Sequence, residues 1–162
     1  MTQGKQPVLT GAYLAPNATV VGDVILEENV GIWHGAVLRG DLGSIRVGKN
    51  SNIQDNCVVH EQVTIGSGCT VGHGAIIHGC TIGDNCLIGM GSIILNGAVL
   101  GEGCLVGAGA LVTGKINAPA GSLLVGSPAK VLRPVTEGER KMILDDAETY
   151  VNLAVAQLEK KP

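Results

Sequence analysis

Aliphatic residues recur along this chain at every sixth position. With the aliphatic residue of each hexad placed in slot one, that slot falls at Ile53, Val59, Ile65, Val71 and Ile77, then at Ile82, Ile88, Ile94, Leu100, Val106 and Val112. Upstream the same register runs through Leu14, Val20, Leu26, Ile32 and Leu38. Slot two is glycine at Gly66, Gly72, Gly83, Gly89, Gly101 and Gly107, and slot five is small, as at Cys57, Cys69, Ala75, Cys86, Ser92, Ala98, Cys104 and Ala110. A short fixed period of this kind predicts a β-helix, whose coils contact only their neighbours. Three hexads close one triangular coil, so residues 18 apart stack on one face at the ordinary strand spacing of about 4.8 Å. The aliphatic slots point inward, and the slot-two glycines are assigned to corners where positive φ costs nothing without a Cβ.

Two irregularities interrupt the register. The hexad at Ile77 is one residue short, and nine residues separate Leu38 from Val47 where six are expected (47 − 38 = 9). The three extra residues are expected to bend outward as a loop carrying Arg39, Gly40 and Asp41 at the mouth of a site. After Val112 the hexads fade, with Pro119, Pro128 and Pro134 breaking the pattern. A helix is predicted from near Thr136, where Thr136 and Glu139 have capping-box spacing. Its apolar stripe runs through Ile143, Ala147, Tyr150, Val151, Ala154 and Leu158. The reading is therefore all-β for 1–135, with a C-terminal α-helix over 136–162 packed on one face, as a single domain. Trp33 is expected to pack between subunits, and Tyr150 to belong to the packing stripe.

The absence of Phe, and aromatics at only 2%, suit a narrow interior built from Val, Ile, Leu and Cys. Of the five cysteines, Cys57, Cys69, Cys86 and Cys104 occupy slot five and read as buried small hydrophobes. A net charge of −3 gives no reason to expect nucleic acid or an anionic membrane as partner. The polar N-terminal run shows no secretory or membrane-spanning segment, so the cytoplasm is the expected location.

The histidines can be placed by counting. His60 and His78 are each slot two of their hexads, and 78 − 60 = 18 is one full coil. They should stand one above the other, close enough for both imidazoles to converge on one metal ion. His73 is slot three of the preceding hexad and lies round a corner, so it completes such a site only from a neighbouring chain, as in a cyclic trimer. Arg39 joins the column of His60 and His78. His34, Asp55 and His73 form the other column, beside Gln54. His34 reads as a hydrogen-bonding residue at the interface, not a ligand. Arg39 and Asp55 read either as a salt bridge between subunits or as site residues, and Asp41 as a holder of Arg39 or a contact to substrate.

The segments LRGDLGSIRVGKNSNIQDNCVVH at 38–60 and VGHGAIIHGCTIGDNCLIGMGS at 71–92 resemble those of the γ-class carbonic anhydrases and their relatives. That resemblance implies a left-handed β-helix and a homotrimer with a divalent metal at each subunit interface, zinc or else iron or cobalt. It implies His60 and His78 as ligands from one chain and His73 from the next, with Arg39, Asp41, Gln54 and Asp55 around the metal or the substrate. The implied reaction is reversible hydration of carbon dioxide to bicarbonate by a metal-bound hydroxide. The chain departs from the family's archetype at Leu42, where a Glu is usual. It also lacks the acidic loop beyond the first ligand, which leaves Glu61 as the nearby acid. A metal-dependent acyl-CoA thioesterase, a hexapeptide acyltransferase and a non-enzymatic trimeric scaffold stay open as alternatives.

Overall fold

The computed structural model describes residues 4–160. The outermost residues of the 1–135 and 136–162 segments fall outside that range. The chain is a left-handed parallel β-helix closed by one C-terminal helix. Equivalent strands stack in register 18 residues apart, as Val59 on Ile77 and His60 on His78. The slot-one residues Leu38, Ile53, Val59, Ile77, Ile88 and Ile94 form inward ladders with no solvent exposure. Among the described residues, no helix is long and apolar enough to cross a membrane.

The slot-two glycines do not supply the positive φ angles. Most of those lie in slot four, where Gly68, Gly91 and Gly109 share the role with Asn29, Asn50, Asn56 and Asn85, the residue types that tolerate left-handed backbone. Slot two is glycine because successive coils touch there. A Cβ on Gly89 would sit 2.5 Å from the backbone nitrogen of Ala108, and one on Gly101 2.6 Å from that of Ala120.

Slot five also does more than fill space. Cys57, Cys69 and Cys86 donate to the carbonyls of Gly72, Gly83 and Gly101 at 3.1, 3.0 and 3.2 Å, and Ser51 and Ser92 do the same for Gly66 and Gly107. Each small polar side chain thus satisfies a corner carbonyl of the next coil that would otherwise be costly to bury. All five cysteines are buried and free.

The insertion is not an outward loop. Val37–Val47 is one continuous strand of 11 residues. The extra residues are absorbed as a bulge where it pairs with Thr19–Leu26: Gly22 faces Gly40, and the next partners are Val24 and Ile45. Backbone crowding between Gly22 and Gly40 leaves no room for side chains, so the two strands turn the corner in contact. One strand therefore serves two faces, pairing with Val58–His60 through Val37, Leu38 and Arg39 and with Val63–Ile65 through Ile45, Arg46 and Val47.

Beyond the last coil, Ser122–Gly126 and Ala129–Pro134 pair antiparallel. The helix spans Glu137–Glu159 and opens with the expected capping box between Thr136 and Glu139. Ile143, Ala147 and Ala154 are its buried residues. Ile143 packs with Leu105, Leu123 and Val135, and Ala154 with Tyr13, Ala15 and Trp33. Trp33 is thus packed within its own chain. Its ring lies 5.2 Å from that of Tyr13 and 5.5 Å from that of Tyr150.

Two outcomes check this account. Gly89→Ala should lower stability in urea unfolding by about 1–3 kcal/mol, the usual cost of overpacking, whereas Gly109→Asn should be close to neutral because slot four accepts asparagine elsewhere. Arg133, then the Thr136 backbone, hold the Glu139 carboxyl down to about 2. A depressed carboxyl stabilises the fold above the unfolded-state value and loses that contribution as pH falls through the folded one. Circular dichroism of the native protein should therefore show helix weakening on acidification towards pH about 2, and Glu139→Gln should flatten that response.

Candidate functional site

The stacking of Val58–His60 under Ile76–His78 aligns two imidazoles at one edge of the prism. His60 Nδ1 lies 3.2 Å from His78 Nε2. The far nitrogen of each ring faces an acceptor. His60 Nε2 is 3.1 Å from Asp41 Oδ1, and His78 Nδ1 meets Asn96 Oδ1. A carboxylate or amide oxygen can only accept, so in the neutral rings the protons reside on those far nitrogens. The two facing nitrogens then both carry lone pairs. Lone pairs so placed repel each other unless a cation lies between them. Two nitrogens bound tetrahedrally at about 2.0–2.1 Å would be separated by about 3.3 Å, so the donor set fits a divalent ion of that kind.

Glu61 joins this pair. Among the described residues, His60, Glu61 and His78 each bring one ligand atom within 4.8 Å of the others. Glu61 has φ +66°, an uncommon conformation for a residue with a side chain. Asp41 also receives a hydrogen bond from Arg39 Nη1 at 2.6 Å. Partial burial opposes its ionisation, but Arg39 and His60 hold its carboxyl below the usual carboxylate range. One side chain from the bulged strand thus steadies both Arg39 and His60.

The second column forms as counted. His73 Nδ1 is 3.0 Å from Asp55 Oδ2, and His34 Nδ1 is 3.6 Å from Asp55 Oδ1. Asp55 gives His73 the same arrangement as the other two histidines, an acceptor on one nitrogen and a lone pair on the other. Gln54 is buried, accepts from the His73 backbone N–H at 3.2 Å and donates to Asn52 at 3.3 Å. Within the protomer His73 is not part of the His60–Glu61–His78 cluster, and Arg39 pairs with Asp41. A groove of about 430 Å³ runs from Gln54 and His73 past Leu87, Leu105 and Leu123 to Tyr150. Burial first, then the charges of Asp55 and Asp146, raise the Tyr150 phenol above its ordinary value.

Slot counting missed two roles. Asn96 is 18 residues beyond His78, but the shortened hexad puts Leu95, not Asn96, in the matching slot. Asp41 lay in the supposed loop, and its contact to His60 depends on the bulge.

The hexads match the family model described as bacterial transferase hexapeptide (six repeats), over residues 44–79 and 79–114. The chain is 48% identical over 145 residues to a protein of Methanocaldococcus jannaschii named probable carbonic anhydrase, covering 87% of this chain and 91% of that one. It is 43% identical over 152 residues to the mitochondrial gamma carbonic anhydrase 2 of Arabidopsis thaliana, covering 88% of this chain and 55% of the relative, so it spans little more than half the plant protein's length. A solved structure of a hexapeptide transferase family protein from Anaplasma phagocytophilum matches with a TM-score of 0.89 and 46% identity, over 93% of this chain and 92% of that one.

With Asn96 fixing the His78 tautomer, Asn96→Ala should weaken the binding of an added divalent metal ion about 10–100-fold, the usual effect of removing a ligand's outer partner. Chelator competition on the folded protein measures this.

Proposed function

This chain belongs to the γ-class carbonic anhydrase-like family of hexapeptide-repeat proteins, and on that footing we propose that it catalyses the reversible hydration of carbon dioxide to bicarbonate. The observation that carries the proposal is the pair of lone-pair nitrogens on His60 and His78, set 3.2 Å apart. The third ligand is His73 of a neighbouring protomer in a homotrimer. Its place on a different face from His60 and His78, with one ring nitrogen on Asp55, supports that assignment. A bound divalent ion, zinc or else iron or cobalt, would supply the Lewis acidity that brings the pKa of water down to about 7.

The chain's own groups do the rest. Asp41, Asn96 and Asp55 hold the three imidazoles in the tautomer and orientation that ligation requires. Gln54 fixes the backbone beside His73 and lines the groove. Arg39, steadied by Asp41, offers a half-exposed guanidinium to the bicarbonate anion. Five free thiols fit a reducing compartment such as the cytoplasm.

The apolar groove beside His73 favours a second reading, an acyl-CoA thioesterase whose acyl chain lies along Leu87, Leu105 and Leu123. An assay of carbon dioxide hydration, on anaerobically prepared protein loaded with zinc or with iron, separates the two when an acyl-CoA panel is run alongside. Hydration without thioester cleavage is expected, and the reverse would overturn the proposal. Elemental analysis should find about one metal per chain. His73→Ala should lose it while remaining a folded trimer, and full metal retention by that variant would refute the shared site.

A further inference from the structure

The bulge that delivers Asp41 has a counterpart on the neighbouring strand. Between the paired residues Gly22 with Gly40 and Val24 with Ile45, the strand Val37–Val47 carries four residues, Asp41 to Ser44, and the strand Thr19–Leu26 carries one, Asp23. That surplus of three is the whole insertion in the repeat. Both limbs of the bulge touch this one residue. On the near side the backbones are in contact. A Cβ on Gly40 would lie 2.6 Å from the Asp23 carbonyl oxygen, and one on Gly22 would lie 3.0 Å from the Asp41 nitrogen. On the far side the Asp23 carboxylate accepts from Ser44 Oγ at 2.8 Å and from Arg46 Nη1 at 2.9 Å. From the N-terminal segment, Lys5 Nζ donates to it at 2.7 Å.

Among the described residues Asp23 is the only buried carboxylate, with its side chain 8% exposed. A buried charge is costly unless its oxygens are well bonded. Lys5, then Arg46 and Ser44, hold this carboxyl far below the usual carboxylate range. Other corners are closed by uncharged donors, as Cys57 to Gly72 and Ser51 to Gly66. The charged cluster thus stands at the one place where the ladder is interrupted and a side chain is re-aimed at the site. That side chain is Asp41, whose Oδ1 lies 3.1 Å from His60 Nε2.

We propose that Asp23 is a positioning residue of the metal site: it braces the two limbs of the bulge and so holds Asp41 where it orients His60. The proposal rests on the metal-site reading above. The Asp23 carboxylate bonds to Lys5, Ser44 and Arg46, so its effect reaches His60 through Asp41. Asparagine has the same shape but one acceptor oxygen, and its NH2 would face donors. Asp23→Asn therefore loosens the brace while still filling the space.

The test is the affinity of the full chain for added zinc, by chelator competition, with folding followed by circular dichroism. Asp41→Ala should weaken binding about 10–100-fold and Asp23→Asn about tenfold. In the double variant Asp23→Asn should add nothing, because the group through which it acts is gone. A second readout separates positioning from general loosening. In the zinc-loaded protein, NMR should show the His60 Nε2 proton, which faces Asp41, exchanging with water several-fold faster in Asp23→Asn. The His78 Nδ1 proton, which faces Asn96, should exchange as in the native chain. Should Asp23→Asn not fold, Ser44→Ala removes one donor, keeps the charge and should show a smaller acceleration confined to His60. Native zinc affinity in folded Asp23→Asn, effects that add in full in the double variant, or equal acceleration of both histidine protons would each overturn the proposal. So would an unchanged His60 proton in Ser44→Ala where that is the variant that folds. A native chain that takes up no zinc removes the metal-site reading as well, whereas the other failures leave that reading standing.

Discussion

Everything in this molecule depends on how closely one coil can lie on the next. At the corners the backbone of one coil touches the backbone of its neighbour, and only hydrogen fits between them at Gly89 and Gly101. That contact sets the ladder register, and the register sets every column of side chains on the outside. Inside, Cys57, Cys69 and Cys86 close the same corners by donating to carbonyls of the coil beyond. Glycine and cysteine thus serve one purpose from opposite sides of the wall. The aliphatic ladders supply the burial.

The pairing of His60 with His78 follows from the same stacking, but stacking alone would leave the rings free to turn. Their orientation comes from three acceptors of different origin. Asp41 comes from a bulge, Asn96 from a coil displaced by a shortened hexad, and Asp55 from the neighbouring column. Both irregularities of the repeat therefore fall where the site needs a side chain that regular hexads would not deliver. This makes the insertion and the deletion part of the site's construction.

Much of this was legible in the sequence. The period of six located the inward ladders, the difference of 18 put His60 on His78 and Asp55 beside His73, and slot counting across the insertion put His34 beside Asp55. Thr136 and Glu139 announced the helix. What failed has physical reasons. The slot-two glycines were taken for conformational devices because glycine serves both needs, and a one-dimensional pattern does not distinguish a tight turn from a close approach. The segment from Arg39 to Asp41 was taken for a loop because three surplus residues look alike whether they leave the ladder or bulge within it. The packing of Trp33 within the chain was not legible because its partners, Tyr13 and Tyr150, are 20 and 117 positions away, and no period relates them. Asn96 was hidden by the missing residue after His78.

The backbone rise between coils behaves as a ruler. The backbone spacing beneath two imidazoles on one edge is inherited from the amide ladder, whatever their own surroundings. Coils added or removed at either end would leave it the same. A lineage built on this scaffold could lengthen, shorten or recap the prism freely and still keep that edge spacing unaltered.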